Sequence, residues 1–275
     1  MYSVRSVVND HEMPYFKTND GCSIYFETCD LESSKPVIIF LNGTMQDTLY
    51  WRSCANSLKE RFSLLLYDAR AQGQSDPGNR KLSLQCHASD LNALVDHLNI
   101  QKAHLVGISH GARVAIAYTA DFPDRVDRVI LCSTGAKPTC RSSLILKSWL
   151  EILKTSGLEA VAWASLPVAF GENFLKQKER ILPDIVKSIV KRNREDSLIA
   201  HLESVASYPP LSKIVRNFKP CLVLSGSDDP LVSEEEAKEL AILCSGQHKS
   251  FIGAGHSLPA EAPELFAESL LDFLL

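Results

Sequence analysis

A serine with glycine two residues to either side, Gly107-x-Ser109-x-Gly111, closes the apolar run Ala103 to Ile108 and precedes Ala112, Val114, Ala115, Ala117 and Tyr118 at helical spacing. The run suits a buried parallel strand, so a strand hands over to a helix at Ser109. A handover this tight puts the serine in an unfavourable backbone conformation, and side chains at 107 and 111 would collide with the neighbouring strand and helix. In return the hydroxyl is exposed at a helix N-terminus. There the backbone N–H of His110 points at any oxyanion formed when Ser109 attacks a carbonyl, and the helix dipole adds to the stabilisation. A glycine-rich turn with no chemistry would carry the same five residues, so the partners of the serine decide its meaning.

Serine is a poor nucleophile at neutral pH, because its hydroxyl must lose a proton as it attacks; a histidine base oriented by a buried carboxylate solves this. Asp229 lies just past the apolar run Pro220 to Ser225, and His256 lies just past a short strand near Lys249 to Ile252. Both fall at the strand ends where Ser109 sits, in the chain order Ser, Asp, His. Asp228 is the competing acid. His87, His97, His201 and His248 fall on expected helices or strand starts and read as solvated or packed side chains, whereas His256 stands in a glycine-rich loop. A second oxyanion donor is available at Asn42-Gly43-Thr44, which ends the run Pro36 to Leu41. From there the Thr44 N–H can point into the same crevice, although a plain Asn-Gly turn reads equally well.

The elements that must hold these residues follow from periodicity. Tyr15 to Thr18 and Cys22 to Glu27 flank Asn19-Asp20-Gly21, a hairpin signal. Strands at Pro36 to Leu41, Ser63 to Tyr67, Ala103 to Ile108 and Val129 to Cys132 alternate with helices at about Thr48 to Lys59 and Leu82 to Leu98 and the one after Ser109. This predicts an α/β fold with a mostly parallel sheet. The polar loop Asp68 to Gly78 reads as a braced connection rather than a source of catalysts. From about Gly135 the rhythm turns all-helical, with a first helix from Ser142 to Thr155 that stops before Gly157. Further helical pieces follow up to Pro209-Pro210. Strand rhythm resumes at Pro220, followed by a helix from Ser233 to Leu243 and a closing helix from about Ala262.

With 45% hydrophobic and 23% charged residues in 275, the chain can bury a large core and has no disordered character. Met1-Tyr2-Ser3-Val4-Arg5 lacks the apolar core of a signal peptide and no run is long enough to span a bilayer, so a cytoplasmic protein is expected. Eight scattered cysteines without a C-x-x-C pair argue against a zinc site and a disulfide framework. Cys132 and Cys221 read as small buried residues. The segment Lys137 to Lys219 holds 14 Lys and Arg against 8 Asp and Glu, a net +6 in a chain of net −4. Either this is a solvated helical surface or a basic rim, densest at Lys187, Lys191, Arg192 and Arg194, that attracts an acidic substrate or acyl carrier. Nothing points to nucleic acid.

In order along the chain, Asn42-Gly43-Thr44, Asp68-x-Arg70-x-x-Gly73-x-Ser75, Gly107-x-Ser109-x-Gly111, Gly226-x-x-Asp229 and Gly255-His256 resemble the motifs of the α/β-hydrolase superfamily. They cover the chain apart from the helical stretch. The resemblance implies a core of residues 1–134 and 218–275 with helices on both sheet faces, and a helical cap of residues 135–217. The cap is similar to that of small esterases and of lactonases of the 3-oxoadipate enol-lactone type, with Trp149, Trp163, Phe170 and Phe174 available to roof an acyl pocket. It further implies Ser109 as nucleophile, His256 as base, Asp229 as its orienting acid, and the N–H groups of Thr44 and His110 as the oxyanion hole, with no cofactor and no metal. Asn42-Gly43 replaces the usual His-Gly of the family, and Ala71 replaces the first glycine of its Arg-Gly-x-Gly. The expected reaction is hydrolysis of an ester or lactone through an acyl-enzyme. A thioesterase on a carrier-bound acyl chain, a cofactor-free lyase or oxygenase, and a ligand sensor are the alternatives.

Overall fold

The computed structural model describes residues 14–216 and 218–275. The Met1 to Arg5 stretch and residue 217, the last residue of the expected cap, lie outside them. Eight strands form one sheet: β1 (Tyr15–Lys17), β2 (Ser23–Cys29), β3 (Val37–Leu41), β4 (Ser63–Tyr67), β5 (Ala103–Ile108), β6 (Val126–Cys132), β7 (Cys221–Gly226) and β8 (Gln247–Phe251). Their order is β1-β2-β4-β3-β5-β6-β7-β8. The first two strands join antiparallel, and every pair from β4 to β8 is parallel. The helices are α1 (Thr48–Leu58), α2 (Leu84–His97), α3 (His110–Asp121), α4 (Cys140–Ala169), α5 (Glu172–Lys178), α6 (Leu182–Arg192), α7 (Glu195–Ala206), α8 (Glu234–Leu243), α9 (Leu258–Glu261) and α10 (Pro263–Leu274).

Alternation along β3 shows why both sheet faces are covered. Ile39 and Leu41 pack with α2, α3 and α8, through residues such as Leu91, Val114 and Leu240. Ile38 and Phe40 pack with α1 and α10 through Trp51, Leu58, Phe266 and Leu270. Because side chains alternate across a strand, a run apolar at every position has to be sandwiched. Each such residue, fully buried, contributes roughly 1.5–3 kcal/mol. Cys132 and Cys221 are buried in these layers as expected.

Between β6 and β7 the chain is helical. Trp149, Leu153 and Val161 of α4 pack with Leu198 and Leu202 of α7, and Ala162 and Leu166 pack with Val186 of α6. The helix expected to stop before Gly157 does break there, at φ +79 and ψ −174, but resumes at once, so that α4 is bent rather than ended. Only glycine enters that conformation without a steric penalty. The short helix α9 has no periodic signal; Pro259 near its start and the carbonyls of Ser257 and Leu258 that hold its last turn define it instead. Among the described residues no helix is long and apolar enough to cross a membrane.

Part of the basic surface of this segment is paired. Lys187 meets Asp184 at 3.3 Å, and Arg192 reaches Asp47 ahead of α1 at 3.3 Å. Arg194 donates to the carbonyl of Ser75 and to Ser197. Two of the four residues expected to be the densest part of a rim therefore tie the inserted helices to the sheet domain.

Candidate active site

Ser109 follows β5 and caps α3 with φ +53 and ψ −113, held by its own N–H on the carbonyl of Cys132 at 2.8 Å. The flanking glycines are required by contact. A Cβ on Gly111 would lie 2.1 Å from the carbonyl oxygen of Leu41, and one on Gly107 would lie 2.6 Å from that of Gly111. The hydroxyl caps nothing.

Asp229, just past β7, accepts the N–H groups of Leu231 (2.8 Å) and Val232 (3.1 Å) on Oδ1 and faces His256 Nδ1 with Oδ2 at 2.7 Å. Its side chain is fully buried and that of His256 nearly so. Asp228 is exposed, and its carboxylate accepts a hydrogen bond only from the adjacent Ser227 hydroxyl among the described residues. The loop bearing His256 is fixed where Ser133 Oγ donates to the His256 carbonyl at 2.7 Å. Ser109 and His256 border the same two cavities, without a hydrogen bond between their side chains.

The smaller of those cavities also meets Thr44 and His110, whose backbone N–H groups are taken by no carbonyl in turns or caps of the described residues. Behind Thr44 the loop is braced at every step. Asn42, in the place of the usual histidine, accepts Trp51 Nε1 and donates to the carbonyl of Tyr67 and to Asp68. Gly43 donates to Gln46 and accepts from Gln72. Asp68 receives the N–H groups of Thr48 and Gln74 at 2.8 Å each, while burial pushes its carboxyl up to about 7. Arg70, wholly buried, is held by Asp90 and Asp20. Ala71 keeps the left-handed backbone, φ +64, that a glycine would adopt freely. The Asp68 to Gly78 segment braces as expected.

The larger cavity, about 270 Å³, is walled by Leu146, Trp149, Leu166, Phe170, Ile189 and Leu231. Of the aromatic residues expected to form a roof, Trp149 and Phe170 do so. Trp163 is 44% exposed, and Phe174 stacks on Phe170 at 4.5 Å without reaching the cavity.

The family description matching residues 36–156 is the alpha/beta hydrolase fold. The solved enol-lactonase from Burkholderia xenovorans superposes with a TM-score of 0.86 at 25% identity, covering 95% of this chain and 99% of its own. The chain has the α/β-hydrolase fold. Two further relatives are a putative carbamate hydrolase RutD from Caulobacter segnis and 3-oxoadipate enol-lactonase 2 from Acinetobacter baylyi. The first is 21% identical and covers 88% of this chain and 92% of its own; the second is 22% identical with 86% and 87%.

Beside the crevice at Ser109 the chain carries a group that periodicity alone does not reveal. His87 of α2, His110 of α3 and His201 of α7 stack edge to face, with ring centres 5.0 and 4.4 Å apart. His201 Nε2 shares a hydrogen bond with Thr44 Oγ1 at 3.0 Å, and His110 Nε2 shares one with Tyr208 at 3.1 Å. Neither nitrogen of His87 has a partner among the described residues. Reading His87 and His201 as packed side chains was sound for each alone; only the topology brings them together behind the oxyanion loop. Burial pushes His87 down to about 3 and His201 to about 4, and pushes His110 down as well, so the three rings stay neutral near pH 7.

These histidines bind fewer protons folded than unfolded below their ordinary value of about 6.5, so the folded state loses stability as pH falls from there toward 4. At pH 5 the cost is about 2 kcal/mol each for His87 and His201. His87→Leu removes one such ring without breaking a hydrogen bond. Urea unfolding at pH 7 and pH 5 should show a smaller stability gap for His87→Leu than for the wild type; an equal gap would remove the cluster as the source.

Proposed function

We propose that the chain hydrolyses a carboxylic ester or lactone through Ser109, His256 and Asp229, with the inserted helices acting as a cap over the site. The observation that carries this reading is the 2.7 Å Asp229–His256 pair at the wall of the cavities that Ser109 also borders. Esterase and enol-lactonase relatives of the same fold support the reaction class.

In this mechanism the oxygen of Ser109 attacks the substrate carbonyl carbon while His256 Nε2 takes the hydroxyl proton. The oxyanion is met by the Thr44 and His110 N–H groups, which need no reorganisation at that moment. His256 returns the proton to the departing alkoxide, which leaves as an alcohol, or in a lactone stays on the acyl chain. Water then attacks the acyl-enzyme, again giving a proton to His256, and the acid departs as Ser109 regains its own. Asp229 orients Nδ1 and stabilises the imidazolium. A Ser109–His256 hydrogen bond that tightens with substrate in place suits a triad of this kind.

The test is a fluorophosphonate probe read by intact mass and peptide mapping. A single adduct on Ser109, lost in Ser109→Ala, supports the assignment. Adduct on another residue, or substrate turnover by a form fully blocked at Ser109, overturns it. A lyase or oxygenase route through His256 alone would accumulate no acyl-enzyme with an ester substrate.

A further inference from the structure

The second cavity beside Ser109, about 140 Å³, differs in chemistry from the apolar one. Its wall includes Arg113, Thr134, Ser142, Tyr208 and Glu236 as well as Ser109 and His256. Arg113 stands four residues after the nucleophile on α3, on the same face and about 6 Å along the helix.

The surroundings of Arg113 set it apart from the other arginines near the core. Arg52 holds Glu27, Arg70 holds Asp90 and Asp20, and Arg192, in the apolar cavity, holds Asp47. Among the described residues Arg113 has no such carboxylate, although it is partly buried. Glu236 borders the same cavity, but its carboxylate accepts the Ser233 N–H at 2.8 Å in the capping box of α8. Tyr208 is engaged with His110 and Ser204. Burial lowers the guanidinium from its ordinary value, with only the Tyr208 phenol acting the other way, yet an arginine so placed remains charged. A charge withdrawn from water without a counter-ion is costly, and a ligand anion would relieve that cost.

We infer that this polar cavity is a carboxylate subsite, in which the Arg113 guanidinium binds an anionic arm of the substrate whose scissile carbonyl lies at Ser109. The inference rests on the serine-hydrolase reading for its reaction but not for its binding. A carboxylate matches the planar fork of arginine two bonds at a time. Glu236 on the same wall repels a phosphate dianion more strongly than a carboxylate monoanion. The apolar remainder of the substrate then fills the larger cavity, whose own cation is already neutralised by Asp47. The substrate class is an ester or lactone bearing a carboxylate a few carbons from the reacting carbonyl.

The test compares two esters of equal acyl length, 4-methylumbelliferyl pentanoate and the 4-methylumbelliferyl monoester of glutaric acid. The ratio of kcat/KM for the glutarate ester over the pentanoate should fall about 10- to 100-fold in Arg113→Gln, mainly through KM, as a lost charged hydrogen bond implies. Arg113→Lys should restore part of it. An unchanged ratio in Arg113→Gln overturns the subsite. Titration with glutarate reads the subsite without turnover: a rise in melting temperature that Arg113→Gln removes supports it, whereas an equal rise in both proteins, or none in either, overturns it. Should the wild type cleave neither ester yet show the Arg113-dependent rise, the hydrolase reading fails and the carboxylate subsite stands.

Discussion

Ser109→Ala is expected to abolish ester turnover, with kcat falling by a factor on the order of 10⁴ or more, while the melting temperature stays close to that of the wild type. The two halves of this result have separate causes. The hydroxyl caps no helix and its removal opens no core cavity, since Ser109 borders empty space on two sides. The backbone strain at φ +53 is carried equally by alanine, so the elbow persists through the contacts of Gly107 and Gly111. Without the oxygen no acyl-enzyme can form. What remains is the oxyanion donors and the binding cavity, which leave a residual acceleration of about 10³–10⁴ over uncatalysed hydrolysis, far below that of the intact triad. Initial rates on a 4-methylumbelliferyl ester, with thermal melts of the same samples, check both halves. Hydrolysis by Ser109→Ala near the original rate would show that another group carries the reaction.

Much of this arrangement is legible in the sequence because strand ends do the positioning. Ser109, Asp229 and His256 each follow a strand, and parallel strands deliver their C-terminal ends to one edge of the sheet. The glycines at 107 and 111 are fixed by backbone contact, which leaves a mark in the residue types themselves. The strand limits at Ser63–Tyr67 and Ala103–Ile108 follow directly from their apolar runs.

What escapes the sequence is contact between elements far apart along it. The Thr44–His201 bond joins residues separated by 157 positions, and the three-histidine stack joins three helices. Neither has a local period. Arg113 is likewise unremarkable as one polar residue in an amphipathic helix until the acids that would pair with it are found engaged elsewhere. The basic stretch shows the opposite failure. Its net charge is a true property of composition, but the partners of Arg192 and Arg194 across the seam, Asp47 and the Ser75 carbonyl, are invisible to a count.

Asp229→Asn is expected to cost about 10⁴ in kcat, against about twofold or less for Asp228→Asn. The contrast comes from the hydrogen bonds already made. Oδ1 of Asp229 accepts two backbone N–H groups, from Leu231 and Val232, so an asparagine there must keep its amide oxygen on that side. Its NH₂ then faces His256 Nδ1, across the contact that measures 2.7 Å in the carboxylate. Two donors cannot share that contact, so Nδ1 becomes the acceptor and the ring proton moves to Nε2. The nitrogen that has to take the proton of Ser109 is then already protonated, and the imidazolium loses its counter-charge. The Asp228 carboxylate bonds only the neighbouring Ser227 hydroxyl among the described residues, and its backbone N–H on the Ala254 carbonyl is kept by asparagine, so the same substitution there leaves the histidine undisturbed. Both variants keep the shape of the side chain, so differences in folding should be small and melts can verify this. Measured across pH, kcat for Asp228→Asn should follow the wild-type profile, whereas Asp229→Asn should stay low throughout the neutral range. Equal losses in the two variants would mean that the carboxylate on Nδ1 does not set the tautomer of the base, and the role given to Asp229 would fall with it.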